Sequence, residues 1–169
     1  GTSLIAAADS GACVRIAENP VNFAGNTFYA HSTALLVLDV TNNLWGTLEA
    51  AGPTTVRTDR PNVLPPESTL MLAKGTSVVL DMNGQDQTIG KLVCNVVGKY
   101  FLCSASPATL TVNQNSASEF KGAVTGAVTL VKSGTGALSL SGTHTLSGAV
   151  VVSNGTLLVT GAGTLGAAC

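Results

Sequence analysis

Short apolar runs punctuate the chain, most of them alternating with small polar residues: Leu35-Leu36-Val37-Leu38, Leu70-Met71-Leu72, Val78-Val79-Leu80, Leu110-Thr111-Val112, Val128-Thr129-Leu130, Leu138-Ser139-Leu140, Val150-Val151-Val152 and Leu157-Leu158-Val159. Runs of this length and period, bounded by Gly and Asn, predict strands. No window holds a helical stripe over three turns without a glycine interrupting it, so little or no helix is expected. From about residue 108 onward the strands recur every roughly 7 to 12 residues, which fits a sandwich, a barrel or a solenoid.

Repetition chooses among these. Gly134-Thr135-Gly136-Ala137-Leu138-Ser139-Leu140-Ser141-Gly142 and Asn154-Gly155-Thr156-Leu157-Leu158-Val159-Thr160-Gly161 share one scheme of glycine, small residue, Leu, polar, Leu or Val, polar, glycine. Gly163-Thr164-Leu165-Gly166 begins a further copy. A unit with a single apolar stripe cannot bury that stripe alone, whereas stacking it on its neighbours makes a continuous core. The expected fold is therefore all-β, a right-handed parallel β-helix, with Leu80, Leu110, Leu130, Leu140, Val152 and Leu157 pointing inward.

The first part of the chain reads differently. Residues 53 to 66 hold Pro53, Pro61, Pro65 and Pro66 together with Arg57, Asp59 and Arg60. Proline cannot donate to a sheet ladder, so this stretch is expected to be a loop or an edge excursion. Upstream, strand-like segments surround Cys13 to Ile16, Ala34 to Val40 and Leu44 to Leu48. The chain thus divides into residues 1–66, an atypical β region with a proline-rich loop, and residues 67–169, the regular repeats. The first region is either a degenerate start of the same helix or a small cap, since solenoids need atypical end coils to cover exposed edges.

Composition narrows the function classes. Charged residues make up 10% of the 169, apolar residues 45%, mean hydropathy is +0.39 and net charge is -1. A chain so nearly neutral carries no long-range field for nucleic acid or an anionic membrane. No apolar run approaches the roughly 20 residues of a spanning helix. Ser, Thr, Asn and Gly cover the surface instead, as suits an exported protein. The absent initiator Met and the Cys169 that follows the last repeat-like residues lead us to expect both ends to have been cut from something longer.

The segment Val79-Leu80-Asp81-Met82-Asn83-Gly84-Gln85-Asp86-Gln87-Thr88-Ile89-Gly90-Lys91-Leu92 resembles the LDLNG-x-x-QTIGSL element of autotransporter-associated β-strand repeat proteins. Phe120-Lys121-Gly122, Leu130-Val131-Lys132-Ser133-Gly134-Thr135-Gly136, Leu138-Ser139-Leu140-Ser141-Gly142 and Asn154-Gly155-Thr156-Leu157 resemble further elements of that family in the same order. The resemblance spans about half the chain and departs at His144-Thr145-Leu146-Ser147-Gly148, where the family has Asn-x-Tyr-x-Gly, and in its four cysteines. It implies a passenger-type β-helix, exported to the cell surface and serving as a stalk, spacer or fibre.

Candidate chemistry is sparse. Asp81, Asn83 and Asp86 approach a calcium loop, but the spacing lacks the terminal Glu, and Asn83-Gly84 reads better as a corner. His31 and His144 have no nucleophile partner in a recognisable motif. Asn154-Gly155-Thr156 is formally a glycosylation sequon and is read as a turn. Trp45, Phe28, Tyr29 and Tyr100 offer stacking faces for sugars but are expected in the core or a cap. No metal or cofactor is called for and no enzyme is expected. The functional reading is an extracellular structural stalk or filament subunit; an adhesin or glycan-binding module, or a polysaccharide-acting enzyme, are the alternatives.

Cys13, Cys94, Cys103 and Cys169 lack zinc or redox spacing, and an even count in an exported protein favours disulfides, buried free thiols being the other reading. Cys94 and Cys103 are expected to pair locally, and Cys13 and Cys169 to be placed for linking successive subunits. The segment Thr156, Leu157, Leu158, Val159 and Thr160 is uncharged and regular, without the Lys, Pro or bulge that discourages edge pairing. End-to-end self-association through it is the expected partner interaction, with a surface glycan or host ligand as a further possibility.

Overall fold

In the computed structural model, residues 4–6, 13–31, 35–73 and 75–165 are described, with side chains from residue 13 onward apart from Thr164. The strands are β1 (Leu4–Ala6), β2 (Cys13–Ile16), β3 (Asn22–His31), β4 (Leu35–Leu38), β5 (Leu44–Ala51), β6 (Thr54–Thr58), β7 (Thr69–Leu72), β8 (Ser77–Asp81), β9 (Gln87–Ile89), β10 (Lys91–Val93), β11 (Lys99–Asn113), β12 (Ser118–Phe120), β13 (Ala123–Ser133), β14 (Ala137–Leu140), β15 (His144–Leu146), β16 (Val150–Val152), β17 (Thr156–Val159) and β18 (Gly163–Leu165). No helix occurs among the described residues.

The strand pairs are parallel throughout. One sheet runs β1-β3-β5-β7-β10, a second runs β2-β4-β6-β8-β11-β13-β15-β18, and a third runs β12-β14-β17. A parallel bridge between Cys94 and Phe120 carries the first sheet into the third. The strands β9 and β16 pair with the second halves of β11 and β13, so these long strands turn a corner and contribute to two faces. Register partners lie 19 to 24 residues apart along the chain, which is the length of one coil. The fold is a parallel β-solenoid.

Alternation along each strand converts this register into inner rows. Leu36, Val56, Leu80, Leu102 and Val124 sit side by side on successive coils, each at most 2% exposed. Phe28, Leu48, Leu70 and Leu92 form a second row. Stacking like on like lets every coil bury the stripe of the one before, at about 1.5 to 3 kcal/mol for each large aliphatic side chain.

Several polar side chains enter the interior at corners, where they meet the backbone of neighbouring coils. Asn43 accepts from the Val21 amide and donates to the carbonyls of Val40 and Val63. One coil pair later, Gln87 accepts from the amides of Val63 and Leu64 and donates to the Arg60 carbonyl. Gln114 donates to the carbonyls of Ser116 and Ala137. Buried amides are tolerated here because each satisfies backbone groups that the turn leaves without ladder partners.

Two expectations about the first region are refined. Residues 53 to 66 are not one excursion: β6 lies inside the sheet between β4 and β8, because the prolines fall before it at Pro53 and after it from Pro61, leaving its own donors intact. The rest of the segment turns inward, burying Val63 and Leu64. Strand β3 lies outside the strand-like segments expected upstream. A register shift between Phe23 and Thr27, around Gly25 at φ 76°, lets it cross a corner.

Candidate functional site

Two regions of the surface differ from the small polar residues elsewhere: a charged ladder over the early coils and an uncovered end after the last.

Asp39 and Asp59 follow strands β4 and β6 and occupy equivalent corners, since the Asp39 amide bonds to the Ile16 carbonyl and the Asp59 amide to the Leu38 carbonyl. Arg15 reaches both, bonding to Asp39 and, at 3.0 Å, to Asp59. Arg60 holds Asp39 at 2.6 Å and Arg57 holds Asp59 at 2.8 Å. Asn83 on the next coil donates to Asp59 at 3.1 Å. Hydrogen bonds from Arg60 and then Arg15 keep the Asp39 carboxyl below its ordinary range, and Arg57 does the same for Asp59. These acids are counter-ions to arginines, which makes them poor proton donors or metal ligands. Asp81, Asn83 and Asp86 do not converge: Asp81 accepts from the Asn83 amide and Asp86 from the Thr109 amide, and Asn83-Gly84 is a left-handed corner at φ 49° and 74°.

At the other end the inner rows run out. Val150 and Val152 continue the rows of Leu130 and Lys132, while Leu157 and Val159 continue those of Leu138 and Leu140. Leu130, Leu138 and Leu140 are fully buried, yet Val152 is 49% and Val159 39% exposed, because among the described residues no strand pairs with the far edges of β16, β17 and β18. The outward Leu158 adds 53% exposure. The amides of Thr156 and Thr160 already bond to Gly136 and Leu140. Strand hydrogen bonding alternates, so the N–H and C=O of Leu157 and Val159 face the open side.

Just beneath this end sit two buried titratable groups. Lys132 replaces an apolar residue in the row of Ile89 and Val112, and its ammonium donates to the carbonyls of Ser133, Gly134 and Asn154 at 2.6, 2.9 and 3.3 Å. Burial lowers its pKa. His144 lies in the row of Val124; its Nδ1 accepts from the Val124 amide at 3.2 Å, while Nε2 is buried without a partner. Burial likewise lowers its pKa, favouring the neutral ring. His31 stacks edge-on against Tyr29 at 5.9 Å.

The cysteines do not come together. Cys94 is fully buried with its thiol toward the Val96 carbonyl, and Cys103 lies half-buried on the outward side of β11. Both are free thiols, so the expected local pair is not formed: the alternation that sends Leu102 and Ser104 inward turns Cys103 away from the core. Burial raises the pKa of each, so neither is an activated thiolate. Cys13 is free and exposed, and Cys169 lies outside the described residues. Phe28, Trp45 and Tyr100 are core, with Phe28 and Trp45 packed 5.2 Å apart.

Residues 130–159 match the family known as the passenger-associated-transport-repeat. That stretch carries a passenger-associated-transport repeat. The matched stretch runs from the end of β13 through β17, and it includes the Gly134 and Gly155 corners and the uncovered rows. No curated protein and no solved structure matches the chain significantly. The repeat and the parallel solenoid together fit a structural module of a passenger domain.

Proposed function

We propose that this passenger-type solenoid works as an extracellular stalk or filament segment, and that copies add end to end, the last coil of one pairing with the first of the next. The observation that carries the reading is that, among the described residues, apolar inner rows and unpaired strand edges lie together at β16 to β18 with no charge, proline or bulge to discourage addition. A head-to-tail contact of this kind does not close on itself and so grows along the axis. The role is mechanical rather than catalytic: Asp39 and Asp59, on successive coils, are each held by two arginines.

Sedimentation velocity over a micromolar concentration series tests this, on the unaltered chain and on a variant with Val152→Lys and Val159→Lys. Both positions are already partly open to water, so the monomer tolerates the charges. Elongated, concentration-dependent oligomers that the variant abolishes are expected. A strictly monomeric unaltered chain, or association that the lysines leave unchanged, contradicts end-to-end pairing.

A further inference from the structure

A groove of about 640 Å³ opens on the corner between the third sheet and the second, across the coils of β11, β13 and β15. Its origin is a column of glycines. A Cβ at Gly142 would lie 2.0 Å from the Gly122 carbonyl oxygen, and one at Gly161 would lie 1.7 Å from that of Gly142. Successive coils therefore approach through bare backbone at this corner, and the surface sinks because no side chain fills it. Upstream the chain from Cys94 to Gly98 bows outward and raises a lip, with Val97 83% exposed.

The walls differ in chemistry. On one side the half-buried ring of Phe101 lies beside Ala123 in the register of β11 and β13. Thr125 and Thr145 stand side by side on successive coils, and Ser141 and Thr143 precede Thr145 on its own coil, the Ser141 hydroxyl donating to Glu119 at 2.8 Å. The one charged lining residue, Lys121, has Glu119 at 3.5 Å as its counter-ion. Stacking sets Thr125 and Thr145 one strand spacing apart, about 4.8 Å.

We infer that this groove is a binding site for a short, neutral oligosaccharide. An aromatic face receives the C–H face of a sugar ring, and hydroxyls that both donate and accept match a ligand made of hydroxyls. A cation already neutralised by its neighbour gives no advantage to an acidic chain. The site involves none of the end-coil residues and does not rest on end-to-end association.

An array of short neutral and acidic oligosaccharides, followed by calorimetric titration of the neutral probe that binds, tests the inference. Phe101→Ala removes the stacking face and Thr145→Val one hydroxyl at equal volume; both side chains point outward, and thermal melts verify that each variant stays folded. About tenfold weaker binding is expected for Phe101→Ala and a smaller loss for Thr145→Val. Binding should persist at raised salt and be unchanged by Thr88→Val on another face or by the Val152→Lys, Val159→Lys pair. Absence of binding to every neutral probe, selection of acidic probes with loss in salt, or equal affinity in both groove variants would each overturn it.

Discussion

The early and late coils solve the same stacking problem with different chemistry. Over β2 to β8 the ladder of Arg15, Asp39, Arg57, Asp59 and Arg60 ties three coils together, and among the described residues every ion pair between coils lies there. Over β12 to β18 no such pairs occur among the described residues; coils meet instead through glycines in near contact, Gly122, Gly142 and Gly161 at one corner and Gly134 and Gly155 at another. Both halves share the apolar rows, and the early half has close glycines of its own at Gly75 over Gly52. The rows hold the fold together, and the corners decide whether a coil keeps its identity. Charged corners fix particular neighbours by complementarity, whereas uncharged glycine corners impose no such match.

The largest expected effect comes from filling a late corner. Gly142→Val forces a side chain into the Gly122 carbonyl and should destabilise the chain by about 3 kcal/mol, measured by denaturant unfolding. The rows sharpen the comparison next: Leu80→Ala in the interior should also be severe, about 3 kcal/mol, whereas Leu157→Ala in the half-open last coil should cost about 1 kcal/mol. Equal losses at the two positions would mean that the last coil is covered in solution.

Acid separates the halves by position rather than size. The His144 pKa is lowered from 6.5, so as pH falls below 6.5 the unfolded chain takes up a proton that the folded chain resists; stability declines until pH reaches the folded value. Asp39 and Asp59 are lowered from 3.8, so their contribution is complete above 3.8 and is lost only as pH falls further, through their folded values. Hydrogen exchange followed from neutral pH downward should loosen β13 to β18 before β2 to β6, and His144→Asn should remove the first step. The smallest effect is Asp39→Asn, a slight loss that added salt reduces, because Arg15 and Arg60, which hold the largely buried Asp39, lie about half open to solvent.

Much of the solenoid was legible in the sequence because its physics is local. Alternation in Leu138-Ser139-Leu140 and glycine at regular corners report directly on strands and stacking. The early coils were harder to read, because Pro61, Pro65 and Pro66 mask the short clean strand Thr54–Thr58 and because the long strand Asn22–His31 crosses a corner. Cys94 and Cys103 are near in sequence but fall on opposite sides of the coil wall, a fact of register rather than spacing. Between coils the charged ladder joins residues 21 to 44 positions apart, and only stacking brings Arg15 to Asp59. Phe101 gave no signal beyond being aromatic; its groove arises from glycines on other coils.

The uncovered edge of β17 is where the account is most exposed to test. Residue-resolved hydrogen exchange of the Leu157 and Val159 amides, measured at low and high protein concentration, addresses it directly. Rapid exchange in dilute solution and clear protection at high concentration are expected, while the Thr156 and Thr160 amides, already bonded to Gly136 and Leu140, change little. Exchange at Leu157 and Val159 that is slow in dilute solution, or that does not respond to concentration, would contradict an open edge that pairs with the next copy.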